Sequence, residues 1–178
     1  MVLKKLVQEI FFQLKLRMPW LSYEKRFRFF EVNHGKLFRS SQPTIPTLNY
    51  FISHYHIRSL IILREKGNEN EIAHAKSRGL NICHISIKHD ASPKETDIQN
   101  FFDFLSDKNN CPALIHCLQG RDRTGCLCLV YRIEKMGWTI DDAWEEMKRS
   151  GFFSLPWHDR TQGHIKGWLE QRYNRKFE

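Results

Sequence analysis

Cys117 and Arg123 stand six positions apart in the run His116-Cys117-Leu118-Gln119-Gly120-Arg121-Asp122-Arg123-Thr124-Gly125. The run lies between a short apolar segment, Pro112 to Ile115, that reads as a buried strand and a nearly all-round hydrophobic segment, Thr124 to Met136, that reads as a helix. A tight turn between them brings backbone N–H groups together at a helix N-terminus, a nest that binds phosphate or sulfate. A cysteine at the floor of such a nest points to one chemistry above others, thiolate attack on a phosphate ester. A free thiol with a pKa of about 8.5 is only a few per cent ionised near neutrality. Ringed by amides and beside Arg123, Cys117 is expected in the range of about 3.5–7.5 found in such settings. The planar fork of Arg123 matches two oxygens of a phosphoryl group, a geometry lysine does not reproduce. Leu118, Gln119, Gly120, Arg121, Asp122 and Arg123 form the expected phosphate-binding set. Gly120 is expected to supply a φ that the turn needs. The Thr124 hydroxyl is expected to hydrogen-bond the sulfur, and His116 to orient the loop through backbone hydrogen bonds.

The elements that must hold this loop are legible from periodicity. Arg26 to Val32 and Lys36 to Ser40 read as two strands around the turn Asn33-His34-Gly35. Gln42-Pro43-Thr44 opens a helix to about His56 with Leu48, Phe51, Ile52 and Tyr55 inward. Arg58 to Arg64 is a continuous apolar run typical of a buried parallel strand. A polar helix over Asn68 to Arg78 stops at Gly79, and Leu80 to Lys88 form the next strand. Ser92-Pro93-Lys94-Glu95 predicts a capping box with proline at the first helical position. That helix turns Ile98, Phe101, Phe102 and Leu105 inward. Gly137 ends the central helix, and Thr139 caps the next one, which carries Trp144 and Met147 inward and stops at Gly151. His158 to Lys176 read as a last helix with Ile165, Trp168 and Leu169. The alternation predicts one domain over residues 1–178 with a three-layer α/β fold, a mixed and mostly parallel sheet flanked by helices.

The chain has 178 residues and a net charge of +8, unevenly placed. Residues 1–40 hold nine basic and three acidic side chains, and residues 148–178 hold seven and three. This field either favours an anionic partner, such as a phospholipid surface, nucleic acid or polyphosphate, or serves solubility alone. Five cysteines without paired spacing argue against a disulfide scaffold, and no metal-ligand ladder appears. No run of about 18 residues stays apolar. Over residues 1–25, Leu3, Leu6, Val7, Ile10, Phe11, Leu14 and Met18 recur at helical spacing among Lys4, Lys5, Lys15 and Arg17. This basic amphipathic helix either packs on the domain or meets a membrane surface or partner.

The His-Cys-x5-Arg-Thr-Gly string resembles the signature of the cysteine-dependent protein tyrosine and dual-specificity phosphatase superfamily. Gly35-Lys36-Leu37-Phe38-Arg39-Ser40-Ser41-Gln42-Pro43 looks like the segment that opens small atypical dual-specificity phosphatases. Ile57 to Arg64 and Gly137-Trp138 with Ala143 add to the likeness, which covers about residues 35–152. The resemblance implies a phosphocysteine mechanism with no metal or cofactor, acting on phosphoproteins or, alternatively, on phosphoinositides at a membrane surface. A non-catalytic phosphate-binding module is the reading from another class. An RNA 5′-triphosphatase is a further possibility on the same scaffold, although no nucleic-acid partner is expected. A cytoplasmic location is expected, peripheral to the membrane if the N-terminal helix binds one. The family's general acid corresponds to Asp90, in Ile87-Lys88-His89-Asp90, just ahead of the capping box. Asp122 either shares that role, as an acid there does in several phosphoinositide phosphatases, or braces the loop. Arg121 is placed to favour multiply phosphorylated groups. Whether Cys83 or Cys111 forms a redox switch with Cys117 is left open, because sequence does not supply the sulfur separation that a disulfide requires.

Overall fold

The strand that delivers Cys117 lies in the middle of a five-stranded sheet. In chain order the strands are β1 (Phe30–Asn33), β2 (Leu37–Ser41), β3 (Ser59–Arg64), β4 (Asn81–Ile87) and β5 (Ala113–Cys117). Their spatial order is β1-β2-β5-β3-β4. β5 pairs in parallel with β2 and β3, β3 pairs in parallel with β4, and β1 runs antiparallel to β2. The computed structural model describes residues 21–89, 91–152 and 159–177, together with Ile10, Leu14 and Met18. The seven helices of this region are α1 (Tyr23–Phe27), α2 (Ile45–Tyr55), α3 (Glu69–Ser77), α4 (Glu95–Ser106), α5 (Asp122–Met136), α6 (Ile140–Arg149) and α7 (Asp159–Tyr173).

The period-two pleat sorts the apolar strands onto two faces. Leu60, Ile62 and Leu114 join Phe38, Leu48, Phe51 and Ala75 in a core between the sheet and α2 and α3. Ile61, Leu63, Ala113, Ile115 and Cys117 point the other way, against Phe101 of α4, Leu127 of α5, Trp144 of α6, and Ile165 and Leu169 of α7. Each fully buried Leu, Ile or Phe contributes about 1.5–3 kcal/mol, so both faces of the central strands are covered and the expected three layers are present. The same alternation puts Cys117 and His116 on opposite faces of β5.

Two element boundaries differ from expectation. The segment read as a strand from Arg26 begins as helix α1, because the Ser22 side chain accepts from the Lys25 amide at 3.4 Å and Arg28 takes a left-handed φ of 53°. Only from Phe30 does the chain join the sheet. The capping box expected at Ser92 does not form; α4 starts after Lys94, where the Asp97 carboxylate accepts from the Lys94 amide at 2.8 Å, a single bond because a lysine side chain has no acceptor to return. Elsewhere Thr139 caps α6 as expected, accepting from the Asp142 amide at 3.1 Å, and Gly137 ends α5 with a φ of 69°.

Candidate active site

Cys117 is the last residue of β5, 3% exposed, and α5 starts five positions later. Two bonds from the β2 side tie down the loop between them. The amide of Gln42 donates to the Leu118 carbonyl at 3.1 Å, and Nη2 of Arg39 donates to the Gly120 carbonyl at 2.6 Å. In a planar trans peptide the N–H points opposite to its carbonyl. The amides of Gln119 and Arg121 are therefore turned away from β2. Gly120 is required twice over. Its φ is +67°, and a Cβ there would lie 2.5 Å from the Ser40 carbonyl oxygen. Leu118 and Gln119 are half-buried, Arg121 is buried, and Asp122 opens α5 half-buried.

Arg123 is half-buried in the first turn of α5. Its Nη1 donates to the carbonyls of Leu63 at 3.3 Å and Ile87 at 3.2 Å, at the carboxyl ends of β3 and β4. A guanidinium carries five donors, so this anchoring uses only part of its capacity while fixing its position beside the loop. Thr124 is fully buried, but its hydroxyl makes no hydrogen bond among the described residues, so the expected bond to the sulfur is not formed. Helix phase, set by the packing of α5, turns that side chain into the interior.

His116 faces the other layer, and there it meets Glu71 of α3. Nε2 of His116 lies 3.3 Å from Oε1 of Glu71, with both side chains almost wholly enclosed. Burial lowers the imidazole to about 4 and raises the carboxyl to about 7. Between about pH 4 and pH 7 the pair is thus neutral rather than an ion pair. Nδ1 of His116 lies 3.2 Å from the Cys117 carbonyl, an acceptor, so Nδ1 carries the ring proton and Nε2 faces the Glu71 carboxyl at 3.3 Å without a hydrogen bond. The chain continues outward. Nε2 of Gln42 donates to Oε2 of Glu71 at 3.0 Å, and Nη1 of Arg64 donates to Oε1 of Gln42 at 2.6 Å. This line of contacts gives His116 the loop-orienting place expected for it, and Glu71, Gln42 and Arg64 are supports that the sequence reading did not identify.

Two further arginines were also missed. Arg39 is 1% exposed and lies over the Phe30 ring at 4.8 Å, with its fork on the loop. Arg28 comes from the end of α1 and is pulled down to about 10 by burial and by the like charges of Arg121 and Arg39, against the opposing charges of Asp122 and Cys117. Burial likewise lowers Arg121. A buried arginine in a strand otherwise made of Leu, Phe and Ser was the one sequence signal available for Arg39; for Arg28 there was none. Asp90 lies outside the described residues. The chain leading to it leaves β4 at Ile87, whose carbonyl Arg123 holds. Of the segment read as an N-terminal helix over residues 1–25, the described residues are Ile10 and Leu14, which are 47% and 52% exposed, Met18, and 21–25, where α1 begins at Tyr23; the rest lies outside the described residues. Neither Cys83 nor Cys111 is placed for a switch with Cys117. Cys83 sits two strands away, about 10 Å at the usual strand spacing, and Cys111 precedes Cys117 by six extended residues, about 20 Å. Among the described residues no three His, Cys, Asp or Glu side chains converge on a metal position, and no helix is long and apolar enough to cross a membrane.

Comparison with known proteins places the same stretch of chain in relation to others. A model described as the tyrosine phosphatase family matches residues 25–161. The chain is 32% identical over 124 residues to inositol diphosphatase DSP4 of Arabidopsis thaliana, an alignment covering 66% of this chain and 61% of that protein. The chain spans between 61% and 66% of the length of three such curated relatives. Among solved structures, Pseudomonas aeruginosa TpbA superposes with a TM-score of 0.67 at 19% identity, covering 85% of this chain and 92% of that one. The core catalytic domain of the PP-IP phosphatase SIW14 from Saccharomyces cerevisiae superposes with a TM-score of 0.66 at 21% identity, covering 82% and 92%. At these identities the two superpositions speak for the fold.

Proposed function

Because this chain belongs to the tyrosine phosphatase family, we propose that it hydrolyses phosphomonoesters in two steps through Cys117, with phosphotyrosine and phosphoserine or phosphothreonine side chains as its first substrates. The Cys117 thiolate attacks phosphorus, and the ester oxygen departs with a proton from Asp90. Water activated by the same carboxylate then attacks the phosphocysteine, releasing phosphate and restoring the thiolate. Arg123 takes two phosphoryl oxygens as charge spreads over them. Thr124 is left out of this assignment because its hydroxyl does not bond the sulfur. The observation that carries the reading is the doubly tethered loop. Its Leu118 and Gly120 carbonyls are drawn towards β2, which turns the following amides the other way. A silent phosphate-binding module would need none of the acid chemistry.

Turnover of para-nitrophenyl phosphate and of a phosphotyrosine peptide tests it. Cys117→Ser should abolish both, and retention of wild-type turnover would refute the covalent route. Asp90→Ala should slow turnover by about 10²–10⁴; a comparable loss in Asp122→Asn with little in Asp90→Ala would move the acid. A second reading, inositol phosphates or phosphoinositides as substrates, is favoured by the buried arginines beside the loop, and three relatives from Arabidopsis thaliana carry the name inositol diphosphatase. Ile10 and Leu14, one helical turn apart and exposed, support membrane contact by the N-terminal segment. Ile10→Glu with Leu14→Glu should then end sedimentation with anionic vesicles.

A further inference from the structure

Arg28 reaches the loop from outside both the loop and the sheet. It follows α1 with a left-handed backbone, and its Nη1 donates to the Ser150 carbonyl at the end of α6 at 3.4 Å. The next residue, Gly151, has a φ of +104° and no side chain to obstruct the approach. A Cβ there would collide with Nη1 of Arg28 and would lie 3.2 Å and 3.4 Å from Cδ and Cγ of Arg121. Two arginines 93 residues apart in sequence thus share one glycine as their floor. Arg39, on the Gly120 carbonyl, is the third guanidinium of the group. The opposing charges that act on Arg28 are those of Asp122 and Cys117. The like charges of Arg121 and Arg39 act on Arg28, and an anion arriving among the three guanidiniums relieves that repulsion.

We propose that Arg28 and Arg121, seated on Gly151, form a second phosphate subsite beside the Cys117 loop. It takes a phosphoryl group bonded to, or directly neighbouring, the one held over Cys117, as in a diphosphate or a densely phosphorylated ring. The inference rests on the loop binding the first phosphoryl group and extends the second substrate reading to a specific pair of side chains. Arg121 belongs to the loop and senses both groups. Arg28 is the discriminating residue, since a substrate with a single phosphate has nothing to offer it.

Isothermal titration of the full chain with inorganic phosphate, inorganic pyrophosphate and inositol hexakisphosphate tests the subsite without requiring turnover. The wild type should bind pyrophosphate at least about tenfold more tightly than phosphate, as an added charge-assisted fork would provide. Arg28→Gln should shrink that advantage to about threefold or less while phosphate binding changes little. Gly151→Ala keeps every charge and should act in the same direction by displacing Arg28. If Arg28→Gln does not fold, Arg28→Lys, which keeps the charge but loses the fork, should still reduce the advantage about threefold or more. Equal wild-type affinities for phosphate and pyrophosphate would overturn the proposal. So would an Arg28 variant that weakens both ligands alike, because Arg28 would then serve the first phosphate. An Arg28-dependent gain for inositol hexakisphosphate as well as pyrophosphate supports a site for neighbouring esters, and a gain for pyrophosphate alone supports one for the diphosphate linkage. A chain that binds as expected but turns over no ester would refute the hydrolase reading and leave the subsite standing.

Discussion

Glu71→Gln should make the protein more stable at alkaline pH, the reverse of what removing a partner from a salt bridge would do. Glu71 is 1% exposed, and burial holds its carboxyl at about 7 instead of the ordinary 4.5. Between those two values the unfolded chain releases this proton while the folded one keeps it, so stability falls as pH rises and levels off above about 7. The displacement corresponds to about 3 kcal/mol. Glutamine copies the shape of the protonated acid, with its Oε1 accepting from Gln42 and its Nε2 turned to Nε2 of His116, yet it does not titrate. The variant should therefore exceed the wild type by about 3 kcal/mol at pH 8, or roughly 6–12 °C in Tm for a chain of this size, and by under about 1 kcal/mol at pH 5. His116 contributes in the opposite sense. Its pKa is lowered from 6.5 to about 4, so its share of stability is present above 6.5 and is lost as pH falls through 4. That share is common to both proteins and drops out of the difference. In the wild type it offsets the Glu71 slope over much of the acidic range, whereas the variant's stability should climb from pH 4 to 6.5. Urea unfolding of the two proteins at half-unit pH steps measures the difference directly. A variant destabilised by about 3–5 kcal/mol at pH 8 would mean that a carboxylate and an imidazolium face each other across that 3.3 Å, and the neutral-pair argument would be wrong.

The loop tethers make separate predictions. Gly120→Ala places a methyl against the Ser40 carbonyl at a φ of +67° and should cost about 2–4 kcal/mol by urea unfolding, with loss of phosphate affinity. Arg39→Met keeps much of the packing over Phe30 but removes the bond to the Gly120 carbonyl; it should cost about 1.5–3 kcal/mol and raise KM for para-nitrophenyl phosphate. Phe51→Ala, which empties a wholly buried site stacked 4.1 Å from Phe29 on the far side of the sheet, should cost about 3–5 kcal/mol and leave KM unchanged. A shift in KM there would mean that the two core layers are coupled more tightly than their separate packing implies.

Local signals accounted for the elements that pack by their own periodicity. The apolar runs at Ser59–Arg64 and Ala113–Cys117 had to be buried on both faces, and they are the adjacent central strands. Thr139 and Gly137 carry their cap geometry in their own side chain or lack of one, so α5 ends and α6 begins where expected. Arg26 to Val32 misled because its alternating pattern fits a strand, while a single cap at Ser22 and a left-handed Arg28 commit its first half to helix. At Ser92 the box pattern was present, but the helix starts two residues later because the Asp97 carboxylate takes the Lys94 amide.

The spacing of Cys117 and Arg123 and the sign of charge around them were set by covalent order alone. A thiol, a turn and a helix start that lie within eight residues need no distant partner to come together. The supports of that site come from elsewhere in the chain: Arg28 from before the sheet, Arg39 and Gln42 from the end of β2, Glu71 from α3 and Gly151 from the end of α6. Their side chains carry no periodic mark, because their partners are chosen by strand order and by which face of β5 each residue occupies. Inserting β5 between β2 and β3 is what brings a buried carboxyl to His116 and an arginine to Gly120. Burial then moves the proton equilibria of Glu71 and His116 by amounts that depend on enclosure by residues remote in sequence.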